Sequence, residues 1–152
     1  MDDIVEEALR HVNPAVREHD LKVVACDEPA LVNVDARLMV QLVVNLVNNA
    51  ITYTPAGSHI VISISVDDGR VACSVADDGP GIAPEDRERI FESFYTANHA
   101  LADSHRSVGL GLSLCRSIAL AHGGSIEVAA ADPHGSVFTI ELPAADVSFD
   151  KE

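Results

Sequence analysis

The sequence predicts an α/β protein, a sheet of short strands covered by amphipathic helices. Three observations lead there. The 152 residues are enough for one domain with a core and too few for two ordinary ones. Apolar residues make up 47% of the chain, but only 4% are aromatic and there is no Trp, so Val, Ile, Leu and Ala must build the core. Segments of helical and of strand periodicity are interleaved along the chain.

Over residues 3–12, Ile4, Val5, Ala8, Leu9 and Val12 share one helical face, and acidic residues near the start suit the helix dipole. Residues 21–26 are β-rich and stop at Asp27-Glu28-Pro29, followed by an apolar run over 30–34. Asp35 is placed to cap a helix reaching Tyr53, with Leu38, Met39, Leu42, Val43, Leu46, Val47, Ala50 and Ile51 repeating at three and four residues. Ile60, Ile62, Ile64 and Val66, then Val71, Cys73 and Val75, alternate on either side of Asp67-Asp68-Gly69, a hairpin with one buried face. After a loop rich in Asp, Gly and Pro comes a short charged helix, then a segment of low apolar content from 90 to 108, long enough to be functional. A further helix is expected from about Gly111 to His122, stopped by Gly123-Gly124. Strands over 125–130 and 137–142, joined by Asp132-Pro133-His134-Gly135, complete the pattern.

The formal charge of −14 argues against nucleic acid and anionic membrane surfaces as partners. It also opposes an anionic nucleotide, so any phosphate site should lean on backbone N–H groups and a metal ion. Cys26, Cys73 and Cys115 are widely spaced within apolar runs, which reads as buried thiols in a reducing cytosol. The acidic start without an apolar h-region, and the lack of a run of spanning length, lead to the expectation of a soluble chain.

Three motifs carry chemistry. Gln41, Asn45 and Asn49, at i, i+4 and i+8, place a polar stripe on an apolar helix. Such Asn side chains need partners, whether a metal ion, phosphate oxygens, water or another helix. Asp77-Asp78-Gly79-Pro80-Gly81 follows a strand, so a carboxylate able to accept from an exocyclic amino group stands beside a backbone open to close approach. Gly109-Leu110-Gly111-Leu112 sits at a helix entry, where unpaired N–H groups and the dipole favour phosphate. Each alone is compatible with an ordinary polar stripe, turn or tightly packed helix start.

Their order is more informative. N-L-V-N-N-A-I-T-Y-T over 45–54, D-D-G-P-G-I over 77–82, I-F-E-S-F-Y over 90–95 and V-G-L-G-L-S-L over 108–114, with His122-Gly123-Gly124, resemble the N, G1, F and G2 boxes of the histidine kinase and related ATPase superfamily. The resemblance spans about residues 3–143. It implies a Bergerat fold, an α/β two-layer sandwich with a mixed sheet of about five strands and three helices on one face. One domain over 1–152 is expected, with an ATP lid over 95–108 and a tail over 144–152. The cofactors implied are ATP and Mg²⁺.

By the same resemblance, Asn49 would coordinate Mg²⁺ and Asn45 would lie near the phosphates. Asp77 would bind the adenine amino group, Gly79, Gly81 and Ile82 would shape the base pocket, and Tyr53 would line it. Phe91 and Phe94 would anchor the lid, Gly109, Leu110, Gly111 and Leu112 would form the phosphate cradle, and Arg106 would supply the lid charge. ATP hydrolases of the superfamily place a Glu where this chain has Asn45, which cannot act as a base, so transfer to a protein side chain is favoured over hydrolysis.

The activity implied is donation of the γ-phosphoryl group to a histidine on a separate dimerisation domain of a two-component sensor kinase, with a response regulator downstream. A cytosolic module of a membrane-anchored receptor, without direct membrane or nucleic-acid contact, is implied. His19-Asp20-Leu21-Lys22 echoes the phosphoacceptor string of these kinases, but Val23-Val24 replaces Thr-Pro and a strand follows. The acceptor histidine is therefore expected outside this chain. Asp78-Gly79-Pro80-Gly81 and Leu114-Cys115-Arg116-Ser117-Ile118 are similar to the potassium-responsive, Kdp-type sensor kinases.

Departures from the pattern set an alternative. Thr52 stands where many histidine kinases carry Lys, Thr96 where Arg often follows F-Y, and Ser107 where the first G2 glycine is usual. The alternatives are a degenerate module of weak ATP affinity serving as a regulatory scaffold, and a serine-directed relative. Phe91-x-x-Phe94 and His122-Gly123-Gly124 favour the histidine kinase branch over the latter.

Overall fold

The computed structural model describes residues 1–12, 14–92 and 106–145. Helix α1 (Asp2–Leu9) is followed by a 3₁₀ turn (Pro14–Glu18), strand β1 (Asp20–Val24), helix α2 (Ala36–Thr52), strands β2 (His59–Asp67) and β3 (Arg70–Asp77), 3₁₀ turns at Pro84–Asp86 and Arg89–Phe91, helix α3 (Arg106–Ala121), and strands β4 (Ser125–Ala130) and β5 (Ser136–Pro143). The five strands form one sheet in the order β1-β2-β3-β5-β4, with β1 parallel to β2 and the other pairs antiparallel. A parallel pair needs a crossover, and α2 supplies it.

Local chemistry accounts for most element ends. The Asp35 carboxylate accepts from the Arg37 and Leu38 N–H groups, capping α2 as expected. Asp68 and Gly69, both at positive φ, make the two-residue turn between β2 and β3. At the end of α3, Gly124 N–H donates to Ala119 O and Gly123 N–H to Leu120 O, the paired bonds of a Schellman stop, with Gly123 at φ +76°. His122 completes that end. Its Nδ1 lies 2.7 Å from Ile118 O, and its Nε2 accepts from Asp35 N–H at 3.1 Å, which ties α3 to the cap of α2.

Strand periodicity then makes the core. Ile60, Ile62 and Ile64 of β2, Val71, Cys73 and Val75 of β3, and Phe138, Ile140 and Leu142 of β5 are buried on the face that receives α2 and α3. The helices return Met39, Leu42, Val43, Leu46, Val47, Leu112, Cys115, Ile118 and Ala119. Each fully buried aliphatic side chain contributes about 1.5–3 kcal/mol. β1 at the sheet edge differs, because Val23 and Val24 remain 42% and 43% exposed. Ala144 and Ala145, expected as the start of the tail, pair with the 31–32 segment through the Val32–Ala144 bridge and an Ala145 N–H bond to Leu31 O.

The cysteines follow their burial. Cys73 and Cys115 are 1% and 0% exposed, and burial pushes each thiol up to about 12. Cys26 is only half-buried and donates to Glu28 O. A thiol reagent at neutral pH is expected to label Cys26 alone in the folded chain and all three cysteines after denaturation; mass spectrometry reads the difference.

Candidate functional site

Asp77 is the last residue of β3, and alternation puts it on the same face as Val71, Cys73 and Val75. Its carboxylate therefore points into the layer where α2 lies rather than to solvent. Oδ1 accepts from Gly79 N–H at 2.9 Å and Ser136 N–H at 3.4 Å, and Oδ2 takes no donor from the described residues. Burial pushes the Asp77 carboxyl above its ordinary range, the two N–H groups oppose the rise, and the Asp78 charge adds to it. Asp78 points the other way, accepts from His59 N–H and pairs with the His59 ring at 2.9 Å, which holds its own carboxyl low.

Gly79 closes the distance to α2. A Cβ there would stand 2.8 Å from Thr54 Cγ2, 3.1 Å from Asp77 Oδ1 and 3.3 Å from Tyr53 O, so any side chain would fill this cradle. Gly81, at φ +83°, lies against Gly135 O. The loop is thus clamped between the end of α2 and the β4–β5 turn, and His134 Nδ1 lies 3.1 Å from Gly79 O. Gly135 allows this closeness, since at φ +115° a Cβ would stand 1.9 Å from Asp77 O. Gly135→Ala is expected to cost about 2–4 kcal/mol from overpacking and backbone strain. Gly57→Ala, at φ +90° with open space around it, should cost only the strain. Urea denaturation measures both.

Asn49 sits one turn before Tyr53, whose N–H bonds Asn49 O. It is 6% exposed, and its Oδ1 has no hydrogen-bond partner among the described residues. A buried amide oxygen left unpaired costs about 1–3 kcal/mol. Hard divalent cations take such oxygens as ligands. Among the described residues no cluster of three or more His, Cys, Asp or Glu side chains is placed to hold a metal.

Asn45, one turn earlier and half-buried, accepts from Gln41 Nε2 at 3.2 Å. Its side chain lies 3.6 Å from where a Cβ on Gly111 would stand, so α3 meets α2 at this residue. Tyr53 is half-buried, and burial raises its hydroxyl.

The G2 segment needs a correction. α3 begins at Arg106, not near Gly111, so Gly109, Leu110 and Gly111 lie within the helix and residues 106–108, expected in the lid, are helical. Glycine disfavours a helix by about 1 kcal/mol; close packing of α3 on α2 overrides it. The unpaired N–H groups of the helix start accordingly fall in the turn at 106–109. Leu112, expected at the phosphates, is buried in the core at 6% exposure. Ile82 is half-buried and packs against the core, with its carbonyl accepting from Arg87 Nε at 3.4 Å. Phe91 is buried edge-to-face against Phe138, with the Arg116 guanidinium 5.7 Å from its ring centre. Phe94, Thr96 and most of the expected lid lie outside the described residues.

His134, Gly135 and Ser136 surround the base loop from outside the motifs, and Thr54, the last residue of the first motif, is given no role by it. Ser136 was within reach of register, because β5 pairs it with Asp77. A hollow of about 390 Å³ between residues 80–83 and the β4–β5 turn shares Gly81 and Ile82 with the loop after β3 but is lined by neither Asp77 nor Asn49.

Residues 34–146 match the family described as histidine kinase-, DNA gyrase B-, and HSP90-like ATPase. The sensor protein KdpD of Clostridium acetobutylicum is 34% identical over 143 residues, 94% of this chain and 16% of that protein. The sensor-like histidine kinase SenX3 of Mycobacterium tuberculosis is 39% identical over 146 residues, 95% of this chain and 35% of that protein. The chain thus spans about a third or less of these relatives, and its higher identity to SenX3 does not favour the Kdp type. The catalytic domain of histidine kinase ThkA, in a nucleotide-free form, superposes with a TM-score of 0.82 at 31% identity, covering 94% of this chain and 91% of that one. ThkA in complex with response regulator protein TrrA aligns with a TM-score of 0.79 at 29% identity, over 95% of this chain and 40% of that one.

Proposed function

The chain belongs to the histidine kinase-, DNA gyrase B-, and HSP90-like ATPase family, and from that premise we propose that it binds Mg²⁺-ATP and donates the γ-phosphoryl group to a histidine on a separate helical domain of a sensor kinase. The observation that carries the reading is the convergence at the end of α2: an unpaired buried Asn49 Oδ1, and a Gly79 cradle beside the inward carboxylate of Asp77.

Each residue has a role in this reading. Asp77 accepts from the adenine amino group through the oxygen its backbone donors leave open. Gly79, Gly81, Ile82 and Tyr53 bound the base, while Asn45 and the start of α3, with Gly109, Leu110 and Gly111, face the phosphates. Asn49 is the protein ligand of Mg²⁺, which when bound offsets phosphate charge on a chain of net charge −14. Arg106, at the start of α3, supplies the cation expected of the lid, and Phe91 and Phe94 are its anchors.

The chemistry asked of the chain is positioning and electrostatics. A neutral imidazole nitrogen is itself a nucleophile, so the P–N bond forms as the bond to ADP breaks without a protein base, which agrees with Asn45 at the position of the hydrolases' Glu. The TrrA complex of ThkA supports a response regulator as the next acceptor. No helix among the described residues is long and apolar enough to cross a membrane.

Incubation with γ-labelled ATP and the helical phosphoacceptor domain of the parent kinase supplied in trans is expected to label that domain on histidine. Asn49→Ala and Asp77→Asn should each abolish the label, and retained transfer in either contradicts the site. Thr52, Thr96 and Ser107 motivate a second reading, a scaffold with little nucleotide affinity.

A further inference from the structure

The geometry points to His19 as a positioning residue for the base end of the site, acting through Thr54 and Gly79 on the Asp77 carboxylate. The inference rests on the nucleotide-site reading and extends it to a residue outside the four boxes.

His19 lies between the Pro14–Glu18 turn and β1, and both of its neighbours are tied to the α2–β2 connection. Gly57 N–H donates to Glu18 O at 2.6 Å, and Asp20 N–H donates to Ser58 O at 2.9 Å. This brings the half-buried ring to the end of α2, with Nε2 2.9 Å from Thr54 Oγ1. Thr54 Oγ1 in turn donates to Ala50 O at 2.7 Å. A hydroxyl has one proton, and a carbonyl can only accept it. Both contacts are therefore met together when His19 Nε2 carries a proton and donates to Thr54.

Thr54 is 8% exposed and held from two sides. What this orients is its methyl group, which occupies the space a Gly79 side chain would need. Gly79 supplies the N–H at 2.9 Å that aims Asp77 Oδ1 and leaves Oδ2 for the ligand. The order of dependence runs from His19 to Thr54, to Gly79, to Asp77. The arrangement also gives the phosphoacceptor-like string at 19–22 a different use, with Nε2 donating to Thr54 and the ring's lone pair left on Nδ1.

The test compares Mg²⁺-ATP with Mg²⁺-purine riboside triphosphate, which lacks the 6-amino group, by calorimetric titration. His19→Ala is expected to weaken ATP by about 3–10-fold, the worth of one hydrogen bond, and to leave the analogue within about twofold, so the preference for ATP falls. His19→Gln, whose amide can donate to Thr54, should restore most of that preference. Thr54→Val, which keeps the methyl shape and removes the hydroxyl, should lower the preference similarly, and the double variant should add little. If His19→Ala fails to fold, Thr54→Val carries the same expectation. Equal losses for both nucleotides, or an unchanged preference in His19→Ala and Thr54→Val, overturn the role of His19. A wild-type chain that binds neither nucleotide overturns the site reading and this inference with it; a wild type that prefers ATP while the variants keep that preference overturns this inference alone.

Discussion

Asp77→Asn is expected to lower ATP affinity by about 100-fold or more while leaving the fold intact. An Asn side chain keeps both backbone bonds by placing its oxygen where Asp77 Oδ1 accepts from Gly79 and Ser136. Its NH₂ group then stands where Oδ2 stood, a donor facing the adenine amino donor of the proposed complex, and flipping it only sets the NH₂ against two backbone N–H groups. The loss combines a charge-assisted bond of about 1.5–3 kcal/mol with a desolvated, unpaired donor. The fold should tolerate the change because a neutral amide escapes the burial penalty that raises the Asp77 carboxyl.

The same raised carboxyl sets a pH dependence. ATP affinity should fall as pH drops through the Asp77 value, which lies above the ordinary Asp range. The free protein responds oppositely at this residue. The folded chain holds the Asp77 proton more tightly than the unfolded chain, so its stability contribution rises as pH falls through the folded value and levels off below the unfolded one. Comparing wild type with Asp77→Asn by titration and by urea unfolding across acid pH isolates both trends.

Asn49→Leu separates function from stability more sharply. Removing the proposed metal ligand is expected to abolish the Mg²⁺ dependence of nucleotide binding and to reduce phosphotransfer by at least about 100-fold, since a metal ion supplies several kcal/mol of charge stabilisation. Without nucleotide the same variant should be as stable as wild type or more so. The unpaired Oδ1 is a cost that an apolar side chain of similar volume removes. Recovery of about 1 kcal/mol would raise the melting temperature by about 2–4 °C. A loss of transfer with a large fall in melting temperature would mean that Asn49 serves packing instead.

Elements governed by local chemistry were legible from the sequence. The Asp35 cap, the Asp68-Gly69 turn and the Gly123-Gly124 stop depend on residues within a few positions of one another. Asp77 was legible too, because strand alternation carries it to the buried face. The start of α3 was not, because two glycines locally oppose a helix that packing against Asn45 sustains. Nor were the supports of the base loop. His134 meets Gly79 across 55 residues and His19 meets Thr54 across 35, and no periodicity encodes such distant pairs. The exposure of Val23 and Val24 in the β-rich segment follows only from the sheet order, which puts β1 at an edge.

The most direct test of the account is calorimetric titration of the chain with ATP, with and without Mg²⁺. Saturable binding that strengthens with Mg²⁺ in the wild type, loses its Mg²⁺ dependence in Asn49→Leu and falls by about 100-fold in Asp77→Asn is the predicted result. No binding up to millimolar nucleotide would contradict it and leave the chain as a scaffold that keeps the fold without the chemistry.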